Sequence, residues 1–327
     1  MSLTDFLEYS VIRDLRRQDS FAPCLAENGI GNTGLPEALQ ALRRDLGVRF
    51  IFIMDEWDLV YREHRDDPRL QQDFSALLQD LFNSAEGLDC FALAYLTGIL
   101  SVRKQNSRPI LDHADEHNML SPGGFAPYFG FTGDEVADIV RHPRCRIALR
   151  ELRAWYEGYR ISGLTVYSPW AIISAVSRNE CSCYWIGTSS NEEAGRLISM
   201  DFAGLKEDIL DLLAGREISF SCLGFRNDMD TLKTRDDVIC LLVCLGYLGC
   251  QMPDAGGPGN GSSEDGSGRT DQKTKTGDIT MILETARDAP ADPAAKSAVN
   301  SRRTAYVPNA EIMSLLTDIV RELGWLA

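Results

Sequence analysis

The stretch Arg49–Asp58, RFIFIMDEWD, constrains this chain more than any other. Phe50 to Met54 are apolar without alternation, and they end in two adjacent carboxylates, Asp55 and Glu56. A short unbroken apolar run is the pattern of a strand buried on both faces, as in the parallel sheets of α/β proteins. Such sheets bind ligands at the carboxyl ends of their strands, where the two acids stand. A second apolar run, Cys90–Leu96, ends in Thr97-Gly98. Between the runs, Leu70, Phe74, Leu77, Leu78, Leu81 and Phe82 recur at helical spacing over residues 68–85. Strand, helix and strand with such a crossover predict a βαβ unit with parallel strands. Thr97 is then expected at the same sheet edge as Asp55 and Glu56.

A buried strand closing on Asp-Glu has the form of a Walker B motif. There the Asp holds Mg²⁺, directly or through a water, and the Glu orients and polarises the attacking water. Phosphoryl transfer asks little more of a protein than positioning and charge neutralisation. Thr97 would stand where a polar residue senses the γ-phosphate. The plainer alternatives are a polar loop after a buried strand and an ordinary Thr-Gly turn. Arg103 and Lys104 follow and read as an exposed basic turn, with an arginine-finger role acting in trans as the other option.

The net charge of −15 and pI of about 4.7 argue against a surface that tracks phosphates, so a nucleic-acid partner is not expected. No stretch approaches the roughly 20 apolar residues of a membrane span. The start, MSLTDFLEYS, has neither the basic nor the apolar region of a signal peptide, so a cytoplasmic protein is expected. Nine cysteines without an even framework fit free thiols in a reducing compartment. Cys181 and Cys183 form a C-x-C with no second pair at zinc spacing, and Cys240 and Cys244 read as small core residues.

Two further motifs are literal matches without their context. Gly29–Gly34 spells G-x-G-x-x-G, but SFAPCLAEN before it is no strand, so it reads as a loop. His113–His117 spells H-x-x-E-H, which binds zinc only on a helix. Pro109 and Ser121-Pro122-Gly123-Gly124 leave little room for one, and a solvated polar turn is the expectation.

Helices are expected at 5–17 and 35–46. From Phe131 onward the chain reads as mostly helical. Thr132 with Glu135 and Thr234 with Asp237 form capping boxes, Ser190 with Glu193 opens another helix, and Ser168 caps one with Pro169 at its first position. The aromatics of 155–170 and Tyr184-Trp185 read as packing groups. Residues 251–303 are dominated by small and polar side chains and are expected to be disordered. They would interrupt a hairpin between Tyr247–Gly249 and Thr304–Val307, followed by a helix capped by Asn309. Helix, hairpin and helix are compatible with a winged-helix-like unit.

Taken together, FIFIMDEWD (50–58), AYLTGIL (94–100), GGFAPYFGFTGDEV (123–136) and WYEGYRISGLTVYSPWAI (155–172) form an ordered pattern. It continues through YW and TSSNEEA (184–194), MDFAGLKEDI (200–209) and LLVCLGYLG (241–249). In this the sequence resembles the bacterial AAA-ATPase-like family of P-loop proteins, which often carry a PD-(D/E)XK-type nuclease domain. The resemblance runs from Leu35 to Cys250 and resumes over Thr304–Trp325. It implies an α/β nucleotide-binding core, Asp55 and Glu56 as the Walker B acids with Asp55 on Mg²⁺, ATP as the nucleotide, and Thr97 on the sensor strand.

The sequence departs from the family in three ways. No G-x-x-x-x-G-K-[ST] precedes Asp55, and the first lysine is Lys104. The stretch after the sensor strand reads PILDHADEHN, and the chain stops where many relatives begin the nuclease domain. The expected organisation is a partial α/β core without its phosphate loop over 1–130 and a helical region over 131–250. The insertion follows over 251–303, and a terminal strand and helix over 304–327. The function implied is an ATP-binding switch module that cannot hydrolyse ATP as this chain alone. A truncated remnant serving as a protein-interaction module is the alternative.

Overall fold

Phe50–Met54 (β1) and Phe91–Gly98 (β2) are strands paired in parallel, with Phe52 opposite Ala94 and Met54 opposite Leu96. The helix Pro68–Phe82 lies between them in sequence. Asp67 caps it by accepting the Leu70 N–H at 3.0 Å, and Pro68, which has no N–H to satisfy, starts it. The computed structural model describes residues 2–99, 101, 111, 114–185, 189–200, 202–225, 232–251, 279–284 and 302–326. Its further strands are Asp115–His117 (β3), Phe131–Thr132 (β4), Tyr159–Ile161 (β5), Leu164–Tyr167 (β6), Ile218–Ser221 (β7), Gly249–Gln251 (β8), Ile279–Glu284 (β9) and Arg302–Tyr306 (β10).

The chain is mixed α/β and divides into two units, each taken by itself below. The first comprises residues up to His117 together with β9. Its sheet has the order β1-β2-β9-β3, with β9 antiparallel to both neighbours. Two expectations need correction here. Residues 279–284 form a strand inside the segment expected to lack structure; 252–278 and 285–301 lie outside the described residues. The solvated polar turn expected over His113–His117 is instead strand β3 from Asp115 to His117, which is also not the helix that a zinc-binding H-x-x-E-H needs, and His113 lies outside the described residues. Gly29–Gly34 follows the helix Ala22–Glu27, not a strand, and opens no phosphate-binding turn from a sheet.

The expectation that β1 is buried on both faces is also overturned. Phe50, Phe52 and Met54 pack into the core, with Phe52 edge-on to Phe82 and Phe91 at 5.0 and 5.7 Å. Ile51 and Ile53 on the other face are 65% and 72% exposed, and among the described residues β1 is the outermost strand of its sheet. Core residues from Leu3–Arg16, Leu35–Leu46 and Pro68–Phe82 (Ile12, Leu39, Leu42, Phe74 and Leu78) join the same cluster as Phe52. Apolar residues at every position of β1 carry no sign of which face those helices take.

The second unit takes the described residues from Asn118 to Gln251 and from Arg302 onward. It has two antiparallel sheets, β4-β6-β5 and β7-β10-β8. Both expected capping boxes are present, at Thr132/Glu135 and Thr234/Asp237. Between them Ser168 caps the helix Pro169–Arg178. In the helix Arg235–Cys244 every residue from Val238 to Cys244 is buried. β8 and β10 form the expected antiparallel pair, with Ala305 opposite Cys250, ahead of the Asn309-capped helix Ala310–Glu322. Of the clustered aromatics, Tyr156, Tyr159, Tyr167 and Tyr184 are buried while Trp170 is exposed. No helix of the described residues is long and apolar enough to cross a membrane.

Candidate functional site

Parallel pairing of β1 and β2 brings their carboxyl ends together, and with them Asp55 and Thr97. The Thr97 hydroxyl donates to Asp55 Oδ1. The same oxygen accepts the Glu56 N–H at 3.1 Å, and the Trp57 N–H reaches the Thr97 carbonyl at 3.0 Å. Both acids are exposed. The chain turns sharply at Glu56, whose φ of 51° lies in the left-handed region that a residue with a β-carbon adopts at a cost. The turn carries the Glu56 side chain to Arg62, 3.3 Å away. The two carboxylates at the strand end are exposed, yet each meets a side chain. Here one rests on a hydroxyl and the other on a guanidinium.

Beneath the acids lies a part of the site that motif reading missed. Asp58 is fully buried; it meets Arg62 Nε at 3.1 Å and accepts the Ile99 N–H at 3.1 Å. It therefore ties the loop after β1 to the loop after β2. Its sequence signal is the spacing Asp58…Arg62, four residues apart across the start of the helix Leu59–Glu63. Trp57, 2% exposed, stacks edge-on to Tyr61 at 6.2 Å, and Tyr61 shares a 2.8 Å hydrogen bond with Ser75. Burial pushes the Tyr61 phenol up to about 12, so it stays a neutral structural group.

Gly98 closes the arrangement. A β-carbon there would lie 2.7 Å from Trp57 Cδ1 and 2.8 Å from Asp58 Oδ1. Neither neighbour can withdraw, since both are buried. Gly98→Ala is therefore expected to cost about 1–3 kcal/mol by overpacking, read as a fall in the thermal midpoint. An unchanged midpoint would mean that the two loops are not held against each other.

The donor set fits one arm of a magnesium site. An exposed carboxylate with a hydroxyl beside it suits a hydrated Mg²⁺ that takes its remaining ligands from water and phosphate. Among the described residues no group of three His, Cys, Asp or Glu side chains could form a protein cage for a metal. A phosphate cradle is not spelled anywhere in the sequence, because no glycine is followed by lysine. Arg103 and Lys104 lie outside the described residues.

Comparison with known proteins narrows the question little. Over 145 residues, 44% of its length, the chain is 23% identical to an uncharacterized protein encoded in the vnfD 5' region of Azotobacter chroococcum mcd 1. The match spans 28% of that protein's length. No family model and no solved structure matches the chain.

Proposed function

We propose that the chain is an AAA-ATPase-like module carrying the acidic arm of a Mg·ATP site, and that it does not hydrolyse ATP by itself. The observation that supports this reading is the Thr97–Asp55 hydrogen bond across the carboxyl ends of two adjacent parallel strands. Ligands of open α/β sheets sit at that place. In this reading Asp55 binds the metal, Thr97 orients the Asp55 carboxylate, and Glu56 orients water once it leaves Arg62. The metal supplies charge neutralisation on the phosphates. Backbone N–H groups and a lysine normally supply most of the β- and γ-phosphate contacts. Those must come from outside these residues, which is why turnover by this chain alone is not expected.

The exposure of Ile51 and Ile53 withdraws the support that a strand buried on both faces would have lent. It favours a second reading, a protein-interaction module, in which the open face of β1 is the working surface.

Amide NMR with Mn²⁺·ATP separates the two. Paramagnetic broadening is expected at residues 55–58 and 97–99, is expected to vanish in Asp55→Asn, and should come without phosphate release. Uniform broadening, or none at millimolar ligand, would leave only the interaction reading.

A further inference from the structure

Among the described residues β1 is an unpaired edge whose outer face is apolar, an arrangement that soluble proteins ordinarily blunt with charge, proline or a covering segment. Neither charge nor proline is built into Phe50–Met54, and the one register shift of its ladder lies between Phe50 and Ile51, with Ala92 of β2 as the extra residue, so the alternation along β1 itself is unbroken. Phe50 donates its N–H inward to the Cys90 carbonyl at 2.8 Å. Because strand residues alternate, the N–H and C=O groups of Ile51 and Ile53 then point to the outer edge. The same two residues put their side chains on the open face, 65% and 72% exposed. Their parallel partners on that face are Leu93 and Tyr95, both half-buried.

We infer that this edge is a self-association surface, on which β1 of a second copy pairs antiparallel about a two-fold axis. Charge selects both the occupant and the register. Arg49 precedes the strand by one residue and Asp55 follows it by one. A two-fold axis at Phe52 sets Ile51 opposite the second copy's Ile53, with both outward-pointing backbone pairs in place to exchange hydrogen bonds. It also sets Arg49 opposite the second copy's Asp55, and the converse pair follows by symmetry. Moving the axis to Ile51 or Ile53 keeps the backbone pairing but leaves Asp55 facing Gly47 or an isoleucine.

Neither charge is locked where it stands. Arg49 meets Asp89 at 2.7 Å, but Arg43 also holds Asp89, at 2.8 Å, so Arg49 can turn away without stranding it. Asp55 makes its bonds to Thr97 and Glu56 through Oδ1, and its carboxylate is exposed. The contact is one strand pair with a shared isoleucine patch, below the size of an obligate interface, so a reversible, concentration-dependent dimer is expected.

The test is sedimentation equilibrium of the full chain over a wide concentration range at low salt. A reversible monomer–dimer equilibrium is expected, weakened at least tenfold by Ile53→Lys, a surface change whose folding is checked by circular dichroism. Arg49→Asp and Asp55→Arg should each weaken it similarly. The double variant Arg49→Asp/Asp55→Arg should restore it, since opposite charges again face each other. A dimer indifferent to Ile53→Lys, or a double variant no better than the singles, overturns the proposal. So does a strict monomer, including one whose β1 amides are protected from hydrogen exchange, because another segment then covers the edge. The readout needs no nucleotide, so the outcome is independent of the Mn²⁺·ATP experiment.

Discussion

Asp58→Ala is expected to lower the stability of the first unit by about 3 kcal/mol, the largest single-residue effect at the candidate site. Removing one partner of a buried ion pair costs roughly 3–5 kcal/mol, because the other charge is left uncompensated in a poorly solvated place. The lower figure applies here. Arg62 keeps some contact with solvent and retains Glu56 at 3.3 Å. The Ile99 N–H, however, loses its acceptor, and the loops after β1 and β2 lose their link. Asp58→Asn keeps an acceptor for that N–H and should lose less. Asp66→Ala, at an exposed position, should stay within about 0.5 kcal/mol of the parent. Urea denaturation of the three variants decides the matter. If Asp58→Ala behaved like Asp66→Ala, the buried pair would not be what organises the strand ends.

In the second unit, stability is expected to fall as pH rises from 5 to 8, and Glu311→Gln is expected to abolish that slope. Glu311 is 1% exposed and accepts the Tyr184 N–H at 2.8 Å. Burial pushes its carboxyl up to about 7, against which the Tyr184 N–H pulls more weakly. Its place in the first turn of Ala310–Glu322 also favours the charged form, but a helix end is worth only about 0.3–1 kcal/mol.

The sign of the pH dependence follows from these values. An unfolded glutamate titrates near ~4.3, so between that pH and about 7 the folded state holds the extra proton. The stability linked to Glu311 is therefore complete below the unfolded value and lost as pH rises through the folded one. Its size is on the order of 3 kcal/mol. Glutamine keeps an oxygen for Tyr184 and carries no charge. Glu311→Gln should match the parent near pH 5 and exceed it near pH 8, measured as the difference between their denaturation midpoints. Equal midpoints at both pH values would place the Glu311 carboxylate in contact with water.

The elements were legible wherever a local rule wrote them. Thr132/Glu135 and Thr234/Asp237 announce helix starts, because a side-chain oxygen three residues from its partner satisfies orphan N–H groups whatever the rest of the chain does. Parallel β1 and β2 were legible for the same reason: a helix-length crossover leaves a right-handed parallel return as the ordinary solution. Asp55 and Thr97 followed from that pairing. Asp58 did not, since an aspartate in a polar loop looks the same in sequence whether it faces water or a buried arginine. The strand at Ile279–Glu284 was hidden by its neighbours, whose composition outweighed a short apolar run.

The sequence by itself determined the capped helix starts, the parallel pair and the two acids at its carboxyl end, but not the strands β4 to β7 inside the region that reads as helical. What it determined depends on spacing along the chain, which folding cannot alter. Tertiary structure alone decided that β1 stands at the sheet edge with Ile51 and Ile53 open, that β9 and not a parallel strand flanks β2, and that Glu56 rests on Arg62 above a buried Asp58. Each of these depends on which residues distant in sequence arrive beside one another. A run such as FIFIM, apolar at every position, satisfies a covered face and an open one equally well.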